Sequence, residues 1–355
     1  MNTSPAASPV FKADLRAATI QQKNIHNIYP FLSKSILMKQ IAITLFFIGV
    51  LYCARAQPVK LHGQLKVEGT QLVDKNNEPV VLNGMSFGWS CFHPQFYTAS
   101  AVRWLYKDWK CSVVRAALGV EPDKGYLKDS ATQKRLIKTV IDQAIVEGIY
   151  VIIDWHSHNI NLKEANGFFK EMATLYGKHP NIIYELFNEP DYETWPEVKK
   201  YSTEIIATIR AIDSNNIILV GSPHWDQDIN LPAEDPISGY KNLMYTVHFY
   251  AGTHKQSLRD RTDAAITKGL PVFISESAGM QATGDGPINY EEWNKWIKWM
   301  DAKKLSWITW SVSDKNESCS VLNNNASEYG GWKTDDLKES GIKTREILRS
   351  KAKNK

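Results

Sequence analysis

The sequence predicts an α/β fold, a single (β/α)8 barrel with a short N-terminal β-hairpin, on three observations. Apolar runs of strand length, rich in β-branched and aromatic residues, recur along the chain. Amphipathic segments of helical spacing separate most of them. No G-x-G-x-x-G or phosphate-loop pattern follows any run, which weakens the competing open doubly wound sheet in its nucleotide-binding form.

The runs occupy 80–87, 112–118, 150–155, 182–187, 217–221, 244–250, 271–275 and 306–311, eight in all. Helical segments lie at 131–146, 162–176, 196–212, 258–267 and 291–303, with 334–351 as the last. Gly148, Gly177 and Gly269 stand just past three of these, where a left-handed cap is expected. Between the fifth and sixth runs no long helix is visible, only a Pro-, Asp- and Gly-rich stretch from Gln227 to Gly239. Ahead of the first run, 65–69 and 71–73 read as a small hairpin that plugs or flanks the barrel. With no internal repeat and no linker, 57–355 is expected to be one domain.

The first 56 residues do not resemble the rest. Met38-Lys39-Gln40 is a short basic region, 41–52 an apolar one, and Ala54-Arg55-Ala56 a small-residue cleavage pattern. A secretion signal at 38–56 is therefore expected, with cleavage near Ala56, export and no membrane span, since the apolar stretch is too short. Residues 1–37 precede that signal as an upstream extension. Cys53 invites a lipid anchor, but the bulky Tyr52 before it argues against one. The chain holds 42 basic and 38 acidic residues; six and one of these lie before residue 57, which leaves 36 and 37, a net of −1. The overall +4 thus belongs to the leader, and a nucleic-acid partner loses its support. Cys91, Cys111 and Cys319 are an odd number, so at least one thiol is unpaired, and no Cys/His spacing marks a zinc site.

In such a barrel the C-terminal strand ends carry the chemistry. Arg115 lies in the second run, and Asp154, His156 and His158 close the third. The fourth delivers Asn188-Glu189 and is stopped by Pro190, which cannot donate to a sheet ladder. His224-Trp225 follow the fifth, His248 and Tyr250 lie in the sixth, Glu276 ends the seventh and Trp310 the eighth. Each has a plain reading: a structural ion pair for Arg115, a core hydrogen-bonding role for Asp154, a loop position for His158. Their coincidence at one end does not, because each buried polar group costs free energy unless paired. Two carboxyl groups on opposite strands suit displacement at an acetal carbon, one giving a proton and the other attacking.

The chain resembles glycoside hydrolase family 5, in its bacterial endo-β-1,4-glucanase branch. The resemblance rests on Leu82-Asn83-Gly84-Met85-Ser86, Val114-Arg115-Ala116-Ala117, 151–156 and Asn188-Glu189-Pro190, then 248–254, 272–276, and Trp310-Ser311 with Lys315 and Glu317. It implies Glu189 as acid/base and Glu276 as nucleophile, with retention of configuration. Asn188 would contact the sugar 2-hydroxyl, and Arg115, His156, His248 and Tyr250 would form the polar shell. Trp310 would be a sugar platform, with Lys315 and Glu317 gripping the next glucose and Trp225 a platform on the leaving-group side. Phe92 and Ala282 are placed among the substrate-contacting positions. Phe92 stands where relatives commonly have tryptophan, and Ser277-Ala278 where they often have Trp-Gly. The implied partner is a β-glucan acted on by a monomer without cofactor or metal. A mannanase, xyloglucanase or mixed-linkage glucanase of the same mechanism is the alternative. A metal-dependent hydrolase built on His156, His158, His224 and His248, and a non-catalytic sugar-binding barrel, are the remoter ones. Trp293, Trp296 and Trp299, spaced by three, are expected to pack the core rather than bind sugar.

Overall fold

The computed structural model describes residues 57–353. The leader, the 38–56 signal and Cys53 lie outside the described residues. Strands β1 (Lys66–Glu68) and β2 (Gln71–Val73) form an antiparallel hairpin, Lys66 opposite Val73. Eight parallel strands follow: β3 (Asn83–Phe87), β4 (Val113–Gly119), β5 (Tyr150–His156), β6 (Ile182–Glu185), β7 (Ile217–Val220), β8 (Leu243–Tyr250), β9 (Val272–Ala278) and β10 (Trp307–Val312). They pair in chain order, and β10 closes on β3. Every predicted run is a strand, and the barrel is closed rather than open.

Alternation along each strand sends every second residue into the barrel. At the N-terminal end these inward residues are apolar: Val113, Ile152, Ile183, Leu219, Met244, Phe273 and Ile308 form one buried cluster. Leu65 and Leu72 of the hairpin, with Val80 and Leu82, join it from below. The hairpin is therefore a plug, and burying each such leucine contributes about 2 kcal/mol. The outward-facing set (Val114, Ala116, Val151, Ile153 and their neighbours) packs under the helices in a second, larger cluster.

Helices fall where the 3.6-residue spacing put them, at Ser130–Glu147, Leu162–Tyr176, Trp195–Arg210, Gln256–Thr267 and Tyr290–Lys303. Asp129 caps the first of these by accepting from the Thr132 N–H at 3.1 Å, and Gly148 ends it at φ 68°. Gly269 is also left-handed, at φ 95°. Gly177 is not: its φ is −60°. A Cβ there would stand 2.6 Å from the Ala173 carbonyl oxygen and 2.9 Å from Asp213 Cβ, so close approach rather than backbone freedom calls for glycine. The predicted final helix is split into a short turn, Thr334–Asp336, and a helix over Glu339–Lys353. An additional helix, Ala99–Trp104, runs into a π-helical segment ahead of β4.

Trp293 and Trp296 are buried, and Trp296 stacks on Phe249 with ring centroids 3.9 Å apart. Trp299 sits edge-on to Trp296, so all three pack as expected. Among the described residues Cys91, Cys111 and Cys319 are buried, Cys91 and Cys319 outside any disulfide, and no helix is long and apolar enough to cross a membrane.

Candidate active site

One step above the apolar floor, the same inward positions turn polar. Arg115 lies two residues beyond Val113, Asp154 two beyond Ile152 and Glu185 two beyond Ile183, all fully buried. Arg115 is the hub. Its Nε donates to Glu185 Oε2 at 2.6 Å, Nη1 to Glu276 Oε2 at 3.1 Å and Nη2 to Asn188 Oδ1 at 2.7 Å. Asp154 Oδ2 lies 3.0 Å from Nη2 and 2.7 Å from His156 Nδ1. Burial opposes the guanidinium charge, but Asp154, Glu185 and Glu276 outweigh it and raise the Arg115 pKa. Burial likewise pushes Glu185 up, and Arg115 with His248 more than reverses this, holding it at about 2. His156 is pushed well below its ordinary value, first by burial and then by Arg115, so the ring is neutral.

Strand β6 stops at Glu185, two residues short of the predicted end. The chain then bends, and Asn188 and Glu189 anchor their amides on the Trp155 and Ser157 carbonyls, at 3.1 and 3.3 Å. Across the mouth, β8 and β9 pair Thr246 with Phe273 and then His248 with Glu276, so β9 spends one extra residue between the two pairs. This bulge re-aims the end of β9 and brings Glu276 beside His248. The Tyr250 hydroxyl donates to Glu276 Oε1 at 2.6 Å, so both oxygens of that carboxylate are held by donors. Glu189 is held on one side only: Oε1 is 2.9 Å from His248 Nδ1, while Oε2 comes no nearer than 4.0 Å to His158 Nδ1. Oxygens of Glu189 and Glu276 approach within 4.8 Å of each other.

Burial raises the Glu276 pKa, with the Glu189 charge adding to it, and His248, Arg115 and Tyr250 offset only part. Burial also pushes Glu189 up, but His248, by hydrogen bond and by charge, reverses the sign and holds it below its ordinary value. The two shifts thus run in opposite directions, Glu276 pushed up and Glu189 held down.

Around the carboxylates a cleft of about 700 Å³ is lined by Asn188, Glu189, Tyr250, Glu276 and Trp310, with Lys315, Glu317, Phe92 and Ala282 among its other residues. A second lobe of about 550 Å³ shares Glu189, Tyr250 and Ala282 and is bounded by Trp225. The Trp310 ring is stacked on His156, 5.0 Å between centroids and 2° between planes. Lys315 Nζ pairs with Glu317 Oε2 at 2.5 Å. Phe92 is 58% exposed, its ring 5.8 Å from Trp89. The structure therefore gathers every predicted site residue at one end of the barrel. Asp154 is the buried hydrogen-bonding residue expected of it.

Other expectations need correction. His158 lies on a loop, as read, but lines both lobes and stacks on Trp89 at 5.5 Å, because Asp191 Oδ1 holds its Nδ1 at 2.9 Å. The four histidines offered as metal ligands are not brought together: His224 is exposed and paired with Asp228 at 3.7 Å. Among the described residues the group with ligand atoms close enough for a metal is Glu189, His248 and Glu276. Glu185, Trp89 and Asp226 went unread in the sequence. For Glu185 the signal was present, a lone acid at the inward spacing from Ile183 within an otherwise apolar strand.

A family model for cellulase, glycosyl hydrolase family 5, matches residues 73–316. The chain belongs to that family. It is a glycoside hydrolase, and its barrel is the family's barrel. An endoglucanase of Clostridium saccharobutylicum is 41% identical over 85% of this chain and 69% of its own length. Endoglucanase Z of Dickeya dadantii is 43% identical over 72% of this chain and 59% of its own. A solved structure from Cytophaga hutchinsonii superposes with a TM-score of 0.82 at 44% identity, covering 84% of this chain and 98% of that one. The catalytic domain of a Thermobifida fusca endoglucanase, solved in complex with cellotetraose, gives 0.79 at 30% identity, covering 83% and 100%.

Proposed function

We propose that this family 5 enzyme is a secreted endo-β-1,4-glucanase that cleaves internal bonds of a β-glucan with retention of configuration. The observation that carries the reading is the approach of Glu189 and Glu276 within 4.8 Å, with donors on both oxygens of Glu276 alone. An attacking carboxylate must be held ionised and aimed, which two donors on Glu276 do, whereas a proton donor needs a free oxygen, which Glu189 keeps. In the first step a Glu276 oxygen bonds to the anomeric carbon as the glycosidic C–O bond breaks. Glu189 gives its proton to the departing oxygen. In the second, Glu189 takes a proton from water, whose oxygen bonds to the anomeric carbon and releases Glu276.

Arg115 and Tyr250 stabilise the carboxylate of Glu276 before attack and as it leaves, and Asn188, fixed by Arg115, faces the cleaved subsite. In the empty cleft Glu189 is the stronger acid of the two, and the reaction needs its proton in place. A bound sugar strips water from the open side of Glu189, which moves its pKa upward and the proton towards it. Lobes on both sides of the carboxylates, one with Trp310 and one with Trp225, suit attack within a polymer. The cellotetraose held by the Thermobifida relative and the endoglucanase names of the curated relatives support a β-glucan as that polymer. The 38–56 leader supports export, and the amino-terminal sequence of the exported protein, expected to begin near Gln57, checks it.

The test is hydrolysis of carboxymethylcellulose and of mannan side by side, with the anomer of the first product read by NMR. Rapid viscosity loss on the cellulose derivative and an initial β-anomer are expected. Activity on mannan alone overturns the substrate, and an initial α-anomer overturns the mechanism. Glu189→Ala is expected to spare the first step on activated aryl cellobiosides, whose leaving group needs no proton, while polymer hydrolysis collapses.

A further inference from the structure

Behind the Glu189 carboxylate lies a second, fully buried acid that the reaction as described does not use. Asp226 has no exposed surface. Its Oδ2 is 3.2 Å from His248 Nε2 and accepts from the Thr246 hydroxyl at 2.7 Å. Its Oδ1 accepts from the Ser222 backbone N–H at 2.5 Å. On the far side of the same imidazole, Nδ1 is 2.9 Å from Glu189 Oε1. Asp226, His248 and Glu189 thus form one line, carboxylate to ring to carboxylate.

The line also has an unusual backbone. His224, Trp225 and Asp226 all adopt left-handed φ, at 59°, 55° and 58°, and none is glycine. Such a run is strained and persists only where the surroundings hold it. Two contacts do so: Asp226 Oδ1 ties the turn back to Ser222, and the Trp225 N–H donates to the Pro190 carbonyl at 3.0 Å. Pro190 is the neighbour of Glu189, so the turn that presents Trp225 to the leaving-group lobe is pinned next to the proton donor.

We propose that Asp226 is a positioning residue for the acid/base carboxylate: it fixes the His248 ring with Nδ1–H towards Glu189, and it locks the turn that holds Trp225 beside that carboxylate. The inference rests on Glu189 being the acid/base. A carboxylate at each ring nitrogen favours an imidazolium that donates on both sides. The imidazolium stabilises Glu189 once its proton has gone, which makes Glu189 a stronger acid towards the departing oxygen. Burial works against a charged ring, but Asp226, Glu185, Glu189 and Glu276 outweigh it. Burial also pushes Asp226 well above the usual carboxylate range, while His248, the Ser222 N–H and the Thr246 hydroxyl pull it back towards the carboxylate. Other groups face the line as well. The Ser275 hydroxyl is 2.9 Å from Nε2 and Glu185 Oε1 is 3.8 Å from it, while Arg115, His158 and His254 add charge or titrate nearby. None of these ties both the ring and the Trp225 turn, as Asp226 does.

Two measurements decide it. The first reads the unaltered protein: the His248 ring, labelled with 13C and 15N and assigned by its loss in His248→Asn, is titrated by NMR. It is expected to remain protonated on both nitrogens at pH 7, and a neutral ring there overturns the proposal. The second compares Asp226→Asn with the wild type. The amide keeps the Ser222 contact but removes the charge behind the ring, so His248 loses its proton and Glu189 holds its own more tightly. Polymer kcat is expected to fall about 10-fold, the scale of a weakened general acid. The basic limb of the pH profile moves upward, and the first step on activated aryl cellobiosides stays within about 2-fold of wild type. Equal loss on both substrates with an unmoved pH profile is the signature of a merely structural residue and also overturns the proposal. Should Asp226→Asn not fold, the ring titration alone decides. Failure of the acid/base assignment is told apart by Glu189→Ala, which would then damage aryl and polymeric substrates alike, while the His248 titration of the unaltered protein stays as expected.

Discussion

The lower and upper halves of the barrel interior are made by the same strands in the same alternation, yet they are opposite in character. Below, Val113, Ile152 and Ile183 meet the hairpin plug in an apolar layer. Two residues further along those strands stand Arg115, Asp154 and Glu185, with no exposed surface among them. One guanidinium is asked to hold three carboxylates, where a hydrocarbon layer would cost nothing in desolvation. The floor supplies stability that the mouth consumes, and the expense falls where charges must be fixed before a sugar arrives.

Substitutions on either side of that divide test it. Arg115→Met has the largest expected effect, since it leaves Asp154, Glu185 and Glu276 buried without their cation. Loss of a partner in a buried ion cluster costs about 3 to 5 kcal/mol. Loss of the donor to Glu276 is expected to lower kcat by about 10³-fold. Urea unfolding and polymer kinetics measure the two, and a stable, active variant would remove Arg115 from the centre of the site. Leu72→Ala, in the plug, is expected to cost about 3 kcal/mol in stability with kcat within about 2-fold of wild type. A large fall in kcat there would show that the floor is coupled to the chemistry.

The smallest expected effect concerns His254, at the edge of the mouth. Burial holds this ring down at about 4, and its Nδ1 accepts the Tyr250 backbone N–H at 2.9 Å, a bond that only the neutral ring can make. The unfolded chain takes up the proton near pH 6.5, so the contribution is complete above about 6.5 and is lost as pH falls towards 4. Wild type is expected to lose about 2 kcal/mol of unfolding free energy from this group over that interval. His254→Asn, whose amide oxygen still accepts from Tyr250, is expected to show a flatter curve. Parallel curves for the two proteins would remove His254 as the source.

The strands were legible because a parallel barrel buries both faces, which leaves near-continuous apolar runs that few other folds produce. Asn188 and Glu189 were legible because a proline stops their run directly after them. Glu185 passed as part of the strand it interrupts, since its role appears only once inward positions are known. Trp89 and His158 meet face to face from separate loops, and nothing in either local pattern announces the partner. Asp226 sits in a stretch where no element was visible. Its importance comes from a left-handed turn that sequence spacing does not encode.

The bulge in β9 bears on how this site could be lost or changed. His248 faces Glu276 because β9 carries one residue more than β8 between their matched pairs. The count of residues between Val272 and Glu276 is thus part of the active site. Inserting one more would leave every catalytic side chain in the gene, yet it would demand a second bulge or rotate the nucleophile out of the mouth. A longer strand is therefore not tolerated there, so variation among functional descendants would be confined to exchanges that keep Glu276 opposite His248.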